Sequence, residues 1–351
     1  MNIAWFGSSI VSSYWNGAAT YYRGLVRALA ARGHDVTFYE PDAFERQAHR
    51  DIDDPPWCDV VVWDDPLEAL EQAAGADVLV KASGVGVHDE LLERELLSVS
   101  AGTRVFWDVD APATLARVEG GGQDAFRRLV PRYDLVLTYG GGDPVCRRYR
   151  ALGARACVPV YNALDPETHH PAPPEERFRC DLAFLGNRLP DREERVEEFF
   201  LRAAALAPER SFLLGGAGWD DRPLPPNVRL LGHVGSGDHN GLNATAGAVL
   251  NVTRASMAAN GWSPPTRVFE AAGAGACLIT DAWQGVEDFL EPGREVFVAT
   301  CGEDVAHLLR CLTPQQKRDA GEAALRRVLR DHTYERRAAQ VEAILSERVP
   351  A

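Results

Sequence analysis

The sequence predicts an α/β protein made of two Rossmann-like, doubly wound units. Three observations predict it. Strand, small-residue loop and helix alternate from Asn2 onward, and the same alternation restarts at Cys180. Between the two runs, Tyr161 to Arg177 carries four prolines and little apolar content, as an inter-domain crossing does. At 351 residues the chain is long for one domain, so two are expected.

The first unit opens on a buried strand over Asn2 to Phe6. Gly7-Ser8-Ser9 follows, then Asn16-Gly17, then a helix from about Ala18 to Arg32 with Tyr22, Leu25, Val26 and Leu29 at helical spacing. Gly33 closes that helix and Asp35 to Tyr39 is the next strand. Small residues after the first strand let a ligand approach the backbone, or simply make a tight turn; Ser8, Ser9, Asn16 and Gly17 are candidate ligand contacts. Strands are expected at Val60–Trp63 and Val78–Lys81. The second leads into Ser83-Gly-Val-Gly-Val-His88-Asp89, a glycine-bearing loop at a strand's C-terminal end, where α/β folds place ligands. His88 is a candidate base there; Asp89 is either a second one or the cap of the next helix. Thr103–Trp107 is a further strand ending in Asp108-Val-Asp110. Carboxylates at i and i+2 on extended backbone point the same way. Asp108 is therefore a candidate catalytic group, and Asp110 an acceptor contact or the cap of a helix begun by Pro112. Asp134–Thr138 is a sixth strand, and the glycines around Gly141 allow approach to a sugar or form a flexible turn. In the crossing, His169 and His170 are adjacent, so they cannot pair on one face of a helix and read as solvated.

In the second unit, Cys180–Leu185 is a strand. Gly186-Asn187 and Arg192 then lead into a helix with Val196, Phe199, Phe200 and Ala203 on one side. A Gly-Asn turn, a helix start and an arginine make a phosphate cradle, although Arg192 opposes the helix dipole and competes with a reading as a surface residue. Ser211–Leu214, Val228–Leu231 and Ala248–Val252 are strands, and Arg254 sits just past the last. The central stretch is Gly261 to Asp281. Ser263 suits an N-cap and Pro264 a first helical position, with a helix from about Pro265 to Ala272 closed by Gly273 and Gly275, then a buried strand over Cys277–Thr280. The N–H groups near Thr266, Arg267 and Val268 would form an anion site, and Glu270 lies further along the same helix. A nucleotide diphosphate has that layout, with phosphates at the helix start and ribose hydroxyls at the carboxylate. Glu295–Ala299 is the last strand, and two helices close the chain, about Pro314–Leu329 and Tyr334–Val349.

The run Arg267-Val-Phe-Glu270-Ala-Ala-Gly-Ala-Gly-Ala, with its following strand and Asp281, resembles the donor-site segment of GT-B glycosyltransferases, and most closely the CgeB-like (spore maturation protein) branch. Further segments are similar to that branch in the same order: Lys81-x-Ser-Gly-Val-Gly-Val87, Gly186 to Arg192, Asn251-x-Thr-Arg254-x-x-Met257, Trp283 to Glu287 and Asp331-His-Thr-Tyr334-x-x-Arg337. The resemblance implies an acceptor domain over 1–163 and a donor domain over 177–331. It also implies a helix over 332–351 returning to the first domain, and a central cleft between the two. It implies that Glu270 holds the donor ribose and that Arg192 and Arg254 face the diphosphate, with Arg254 also assisting departure of the nucleotide. Where such families carry an earlier glutamate, this chain has Trp262. No metal and no cofactor beyond the nucleotide-sugar donor is expected. The acceptor is a small molecule or a glycan. A sugar-nucleotide epimerase and a non-catalytic sugar or nucleotide binder are the alternatives.

Bulk properties narrow the field. The net charge of −14 argues against general affinity for nucleic acid or anionic membrane. No stretch approaches the roughly 20 apolar residues of a membrane helix, and the N-terminus reads as a strand rather than a signal peptide. Seven scattered cysteines without a Cys-x-x-Cys fit reduced thiols, and hence a cytoplasmic protein, better than a disulfide or zinc framework.

Overall fold

The computed structural model describes residues 1–120 and 124–347. It divides into two compact units, Met1–Asn162 with Tyr334 onward, and Ala163–Thr333. The chain therefore passes between them twice.

The first unit holds a seven-stranded, wholly parallel sheet: β1 (Asn2–Phe6), β2 (Asp35–Pro41), β3 (Asp59–Trp63), β4 (Val78–Ala82), β5 (Thr103–Asp108), β6 (Leu135–Thr138) and β7 (Cys157–Pro159). Their order is β3-β2-β1-β4-β5-β6-β7. Strand order reverses between β1 and β4, which makes the loops after those two strands the walls of the ligand crevice in such sheets. β7 is an element the sequence reading did not foresee; three residues with a terminal proline give no periodic signal. β4 is buried along its length although it contains Lys81, because parallel strands are covered on both faces. The helix Tyr334–Ser346 belongs to this unit and packs on the helix Ala19–Ala31. Gly24 permits that approach, since a Cβ there would sit 2.1 Å from the Tyr334 ring. Arg337 Nε donates to the Tyr161 carbonyl at 3.2 Å and Gln340 to that of Pro159 at 3.0 Å. The sequence reading carried this helix to Val349, but residues 348–351 lie outside the described ones.

The second unit holds a six-stranded parallel sheet: β8 (Leu182–Leu185), β9 (Phe212–Gly215), β10 (Val228–Gly232), β11 (Val249–Asn251), β12 (Leu278–Asp281) and β13 (Phe297–Ala299). The order β10-β9-β8-β11-β12-β13 reverses between β8 and β11. Its core gathers Leu182, Phe184, Phe200, Phe212, Trp219, Leu250 and Ile279. The helix beginning at Glu193 buries Val196, Phe199, Phe200 and Ala203, and passes through a π-helical segment, Glu197–Leu201. No helix among the described residues is long and apolar enough to cross a membrane.

Candidate active site

The loops after β8 and β11 flank the crevice of the second sheet, so topology alone brings Arg192 and Arg254 to one place. Asp191 joins the two loops. Its carboxylate accepts from Arg254 Nε at 3.0 Å, from the Ser256 hydroxyl at 2.6 Å and from the Ser256 N–H at 3.2 Å, while its carbonyl accepts from Ala255 N–H. Asp191 thus serves as a cap, in trans, for the short helix Ala255–Asn260. Asp281 does a parallel task. It is fully buried at the end of β12 and accepts from Arg195, Asn251, the Thr253 hydroxyl and the Thr253 N–H. The Asn-x-Thr-Arg run therefore braces the C-terminal end of β12 with its first and third residues, while its fourth, Arg254, pairs with Asp191.

The helix that sequence alone placed after Ser263 begins later. It runs Thr266–Gly273 with Pro265 as N-cap, and no side chain caps it. Ser263 is buried and donates instead to the Gly261 carbonyl at 2.9 Å, which closes the turn before the two prolines. Trp262, in left-handed backbone at φ +40°, donates its indole N–H to Asp288 at 2.6 Å, and its ring occupies the space above Gly285.

Arg267 is the hub of the cluster. Its Nη1 lies 3.3 Å from Glu270 Oε2, short of hydrogen-bond geometry, and both its Nε and Nη1 are buried without a hydrogen-bond partner. The Arg192 guanidinium lies over the Phe184 ring at 5.7 Å and donates to the Asn187 carbonyl at 2.5 Å, leaving its Nε unpartnered. Burial, followed by repulsion from Arg267 and Arg254, pushes Arg192 down to about 10. Gly186 is needed here, because a Cβ would sit 2.8 Å from Arg192 Nη2. Asn187, expected as a ligand contact, accepts from Ala217 N–H at 3.0 Å and fastens its loop to the loop after β9. The backbone N–H of Val268 bonds to the Pro265 carbonyl, so of the three N–H groups expected to bind an anion this one is already used.

Glu270 sits among polar groups, its side chain 10% exposed. Burial alone would raise its carboxyl, but Arg267 first, and then His169 and His239, hold it below the usual range. Burial also lowers both imidazoles, His239 to about 4, so near neutral pH they are uncharged and Arg267 is the cation that counts. His169 corrects the sequence reading. It is buried rather than solvated, and its Nε2 lies 3.9 Å from Glu270 Oε1. His239 was not singled out from sequence, because it lies 70 positions from His169 and only the fold brings the two together.

The first unit treats its candidates differently. Asp108 is fully buried and accepts from the hydroxyls of Ser83 (2.8 Å), Thr114 (2.9 Å) and Tyr149 and from Asp110 N–H (3.1 Å). Burial raises its carboxyl against these bonds. It anchors the ends of β4 and β5 and is closed to a substrate, which corrects its expected catalytic placement. Ser8, Ser9 and Asn16 are buried too, and knot the loop after β1. Ser8 donates to Asn16, Ser9 donates to the buried Glu40, and Asn16 donates to the carbonyls of Ser9 and Ser12. Glu40 also takes Ile10 N–H at 2.6 Å, a role no sequence pattern revealed. Gly141 is buried at φ +83°, where a Cβ would strike Val145, so it is a turn glycine. Asp89 neutralises buried Lys81 at 2.6 Å and accepts from Gly86 N–H. Three expected residues stay accessible or partly so: exposed Gly17, half-buried Asp110 and exposed His88, the last in left-handed backbone at φ +55°. Trp15 and Phe44 are also exposed, at 66% and 53%, both with left-handed φ.

Residues 192–343 match a family model described as glycosyl transferase-like. No curated protein matches the chain. Solved structures match it end to end. Sucrose-phosphate synthase from Thermosynechococcus elongatus is 15% identical with a TM-score of 0.70, over 99% of this chain and 98% of that one. HepE from Anabaena, in complex with UDP and glucose, is 16% identical with a TM-score of 0.67, over 99% and 100%. The T4 phage β-glucosyltransferase is 11% identical with a TM-score of 0.60 over the whole of both chains. The architecture is thus the GT-B fold, with two Rossmann-like units.

Proposed function

We propose that this protein is a glycosyltransferase that moves a sugar from a nucleotide-diphosphate donor to a small-molecule or glycan acceptor. One observation carries the reading. Arg192, Arg254 and Arg267 gather at the crevice of the second sheet, where Glu270 lies beside Arg267 and Asp191 pairs with Arg254, and nitrogens of Arg192 and Arg267 are buried without a hydrogen-bond partner. Like charges held together in a half-buried site favour an anion there. Arg192 and Arg254 hold the diphosphate, with the open turn before Thr266 and Arg267. Glu270 accepts from the ribose hydroxyls. The same cations stabilise negative charge on the departing nucleotide, so departure proceeds without a metal ion. The match over residues 192–343 supports this, as does the shared fold with HepE, which binds UDP and glucose.

On the acceptor side, His88 is the proton acceptor, since Asp108 is enclosed and Asp89 is committed to Lys81. Left-handed backbone at a non-glycine residue costs roughly 1–3 kcal/mol and is concentrated at functional sites. Membership of the CgeB-like branch is part of the same proposal and rests on the motif order. The deciding experiment is calorimetric titration with UDP, GDP, dTDP and ADP, followed by hydrolysis assays on the matching nucleotide sugars. Binding of one nucleotide and slow release of sugar is expected. Absence of any nucleotide binding would refute the reading, and binding with conversion to an epimeric sugar nucleotide would replace it by epimerisation.

A further inference from the structure

We infer that His169, His239 and Glu270 form a zinc site that shares Glu270 with the donor nucleotide. Their ligand atoms lie within 4.8 Å of one another. The His169 tautomer follows from what lies behind its ring. Thr168 donates its hydroxyl proton to the Asp165 carbonyl at 3.2 Å, so its oxygen accepts from His169 Nδ1 at 3.0 Å. His169 Nε2 is then a bare lone pair, buried and unpartnered, on a residue only 7% exposed. The Nδ1 of His239 is likewise buried and unpartnered. Arg267 faces Oε2 of Glu270, which leaves Oε1 toward the histidines. Two imidazoles with unpartnered ring nitrogens and one carboxylate thus lie together.

Such a set is satisfied in one of two ways. Two hydroxyl groups of a ribose donate to it, or a cation sits among it. Two imidazoles and one carboxylate, with the His169 ring backed by the Thr168 oxygen, make the donor set of a three-ligand zinc site with an open fourth position. Ligand bonds of about 2.1 Å place tetrahedral ligand atoms roughly 3.4 Å apart. The 3.9 Å between His169 and Glu270 needs only a small side-chain adjustment. The metal site stands on this geometry alone; its competition with the donor rests on the ribose role proposed for Glu270.

The test uses the full chain, stripped with chelator, and titrated with Zn²⁺ by calorimetry and with Co²⁺ by visible absorption. One equivalent is expected, with a cobalt spectrum free of thiolate charge-transfer bands. His169→Gln and His239→Gln should abolish it and Thr168→Val weaken it roughly 10-fold, whereas His170→Gln, at an exposed neighbour, should not. Circular dichroism of each variant separates loss of the site from loss of fold. No binding to the folded wild type, unchanged binding in both folded glutamine variants, or a thiolate band placing the ion at Cys301 or Cys311, would overturn the site. UDP should raise the apparent zinc Kd, and zinc that of UDP. Both binding independently would leave the metal site standing and remove Glu270 from the ribose.

Discussion

Replacing Arg192 by methionine separates stability from binding, because the two should move in opposite directions. The guanidinium is held down to about 10, first by burial and then by Arg267 and Arg254. A shift of that size from its ordinary value corresponds to about 3 kcal/mol against the charged form in the folded state. Arg192 remains charged at neutral pH in both states, so the penalty is constant there and is relieved only as pH rises above about 10. Methionine removes the penalty and keeps an apolar stem over Phe184. It forfeits the cation–π contact, about 0.5–1 kcal/mol, and the bond to the Asn187 carbonyl, about 1–2 kcal/mol. The net expectation is a change between zero and roughly 2 kcal/mol in favour of the fold. Nucleotide binding loses one charge-assisted contact, about 1.5–3 kcal/mol, or roughly 10- to 150-fold in Kd. Urea melts and UDP titration of the same preparation measure both quantities. A variant that is destabilised by several kcal/mol yet binds UDP as the wild type does would make Arg192 a packing residue and break the diphosphate assignment.

Three further substitutions test neighbouring steps. Glu270→Gln should weaken UDP roughly 10- to 100-fold while inorganic pyrophosphate holds or improves, since a negative charge near the anion is gone; equal loss of both ligands in titration would deny the ribose role. Gly186→Ala should leave a folded protein with weakened UDP binding, because the new methyl displaces the Arg192 guanidinium from 2.8 Å; wild-type affinity would show that Arg192's position is not needed. Asp108→Asn replaces two acceptor oxygens by one among four donors and should cost about 2–4 kcal/mol in urea unfolding with UDP affinity unchanged; a variant as stable as wild type would show that the buried bonds contribute little.

The layout of both sheets was legible because buried parallel strands read as short apolar runs bounded by glycines and small polar residues. β7 was not, being three residues long with no pattern to offer. In the candidate site, the neighbourhood of Arg192 and Arg254 was legible, since topology fixes where the strand ends before them lie. What sequence misjudged was direction. Asp108 and Asp110 share an extended spelling, but the chain leaves the strand after Asp108, so one carboxylate turns into four donors while the other heads a helix. His169 looked solvated from its proline-rich surroundings, and only tertiary packing sets it against Glu270. Polar residues that satisfy one another across long separations, such as Ser9 with Glu40, leave no local signature.

Both units carry buried polar side-chain atoms without a hydrogen-bond partner, and where they cluster bears on how substrates are held. Around the loops after β1, β4 and β5, the carboxylates Glu40, Asp89 and Asp108 are each met by donors from their own unit. Around Arg267, by contrast, buried nitrogens of Arg192, Arg267, His169 and His239 have no hydrogen-bond partner. Each such group costs about 1–3 kcal/mol until something meets it. Folding tolerates the cost only because it is concentrated where other interactions hold the frame: Asp191 across the two loops, Asp281 under the third and Gly186 beneath Arg192. A ligand carrying both an anion and hydroxyl groups relieves the penalty at both ends, a nucleoside or a phosphate alone at only one. On the proposed reading, such a site favours the joined molecule over its halves.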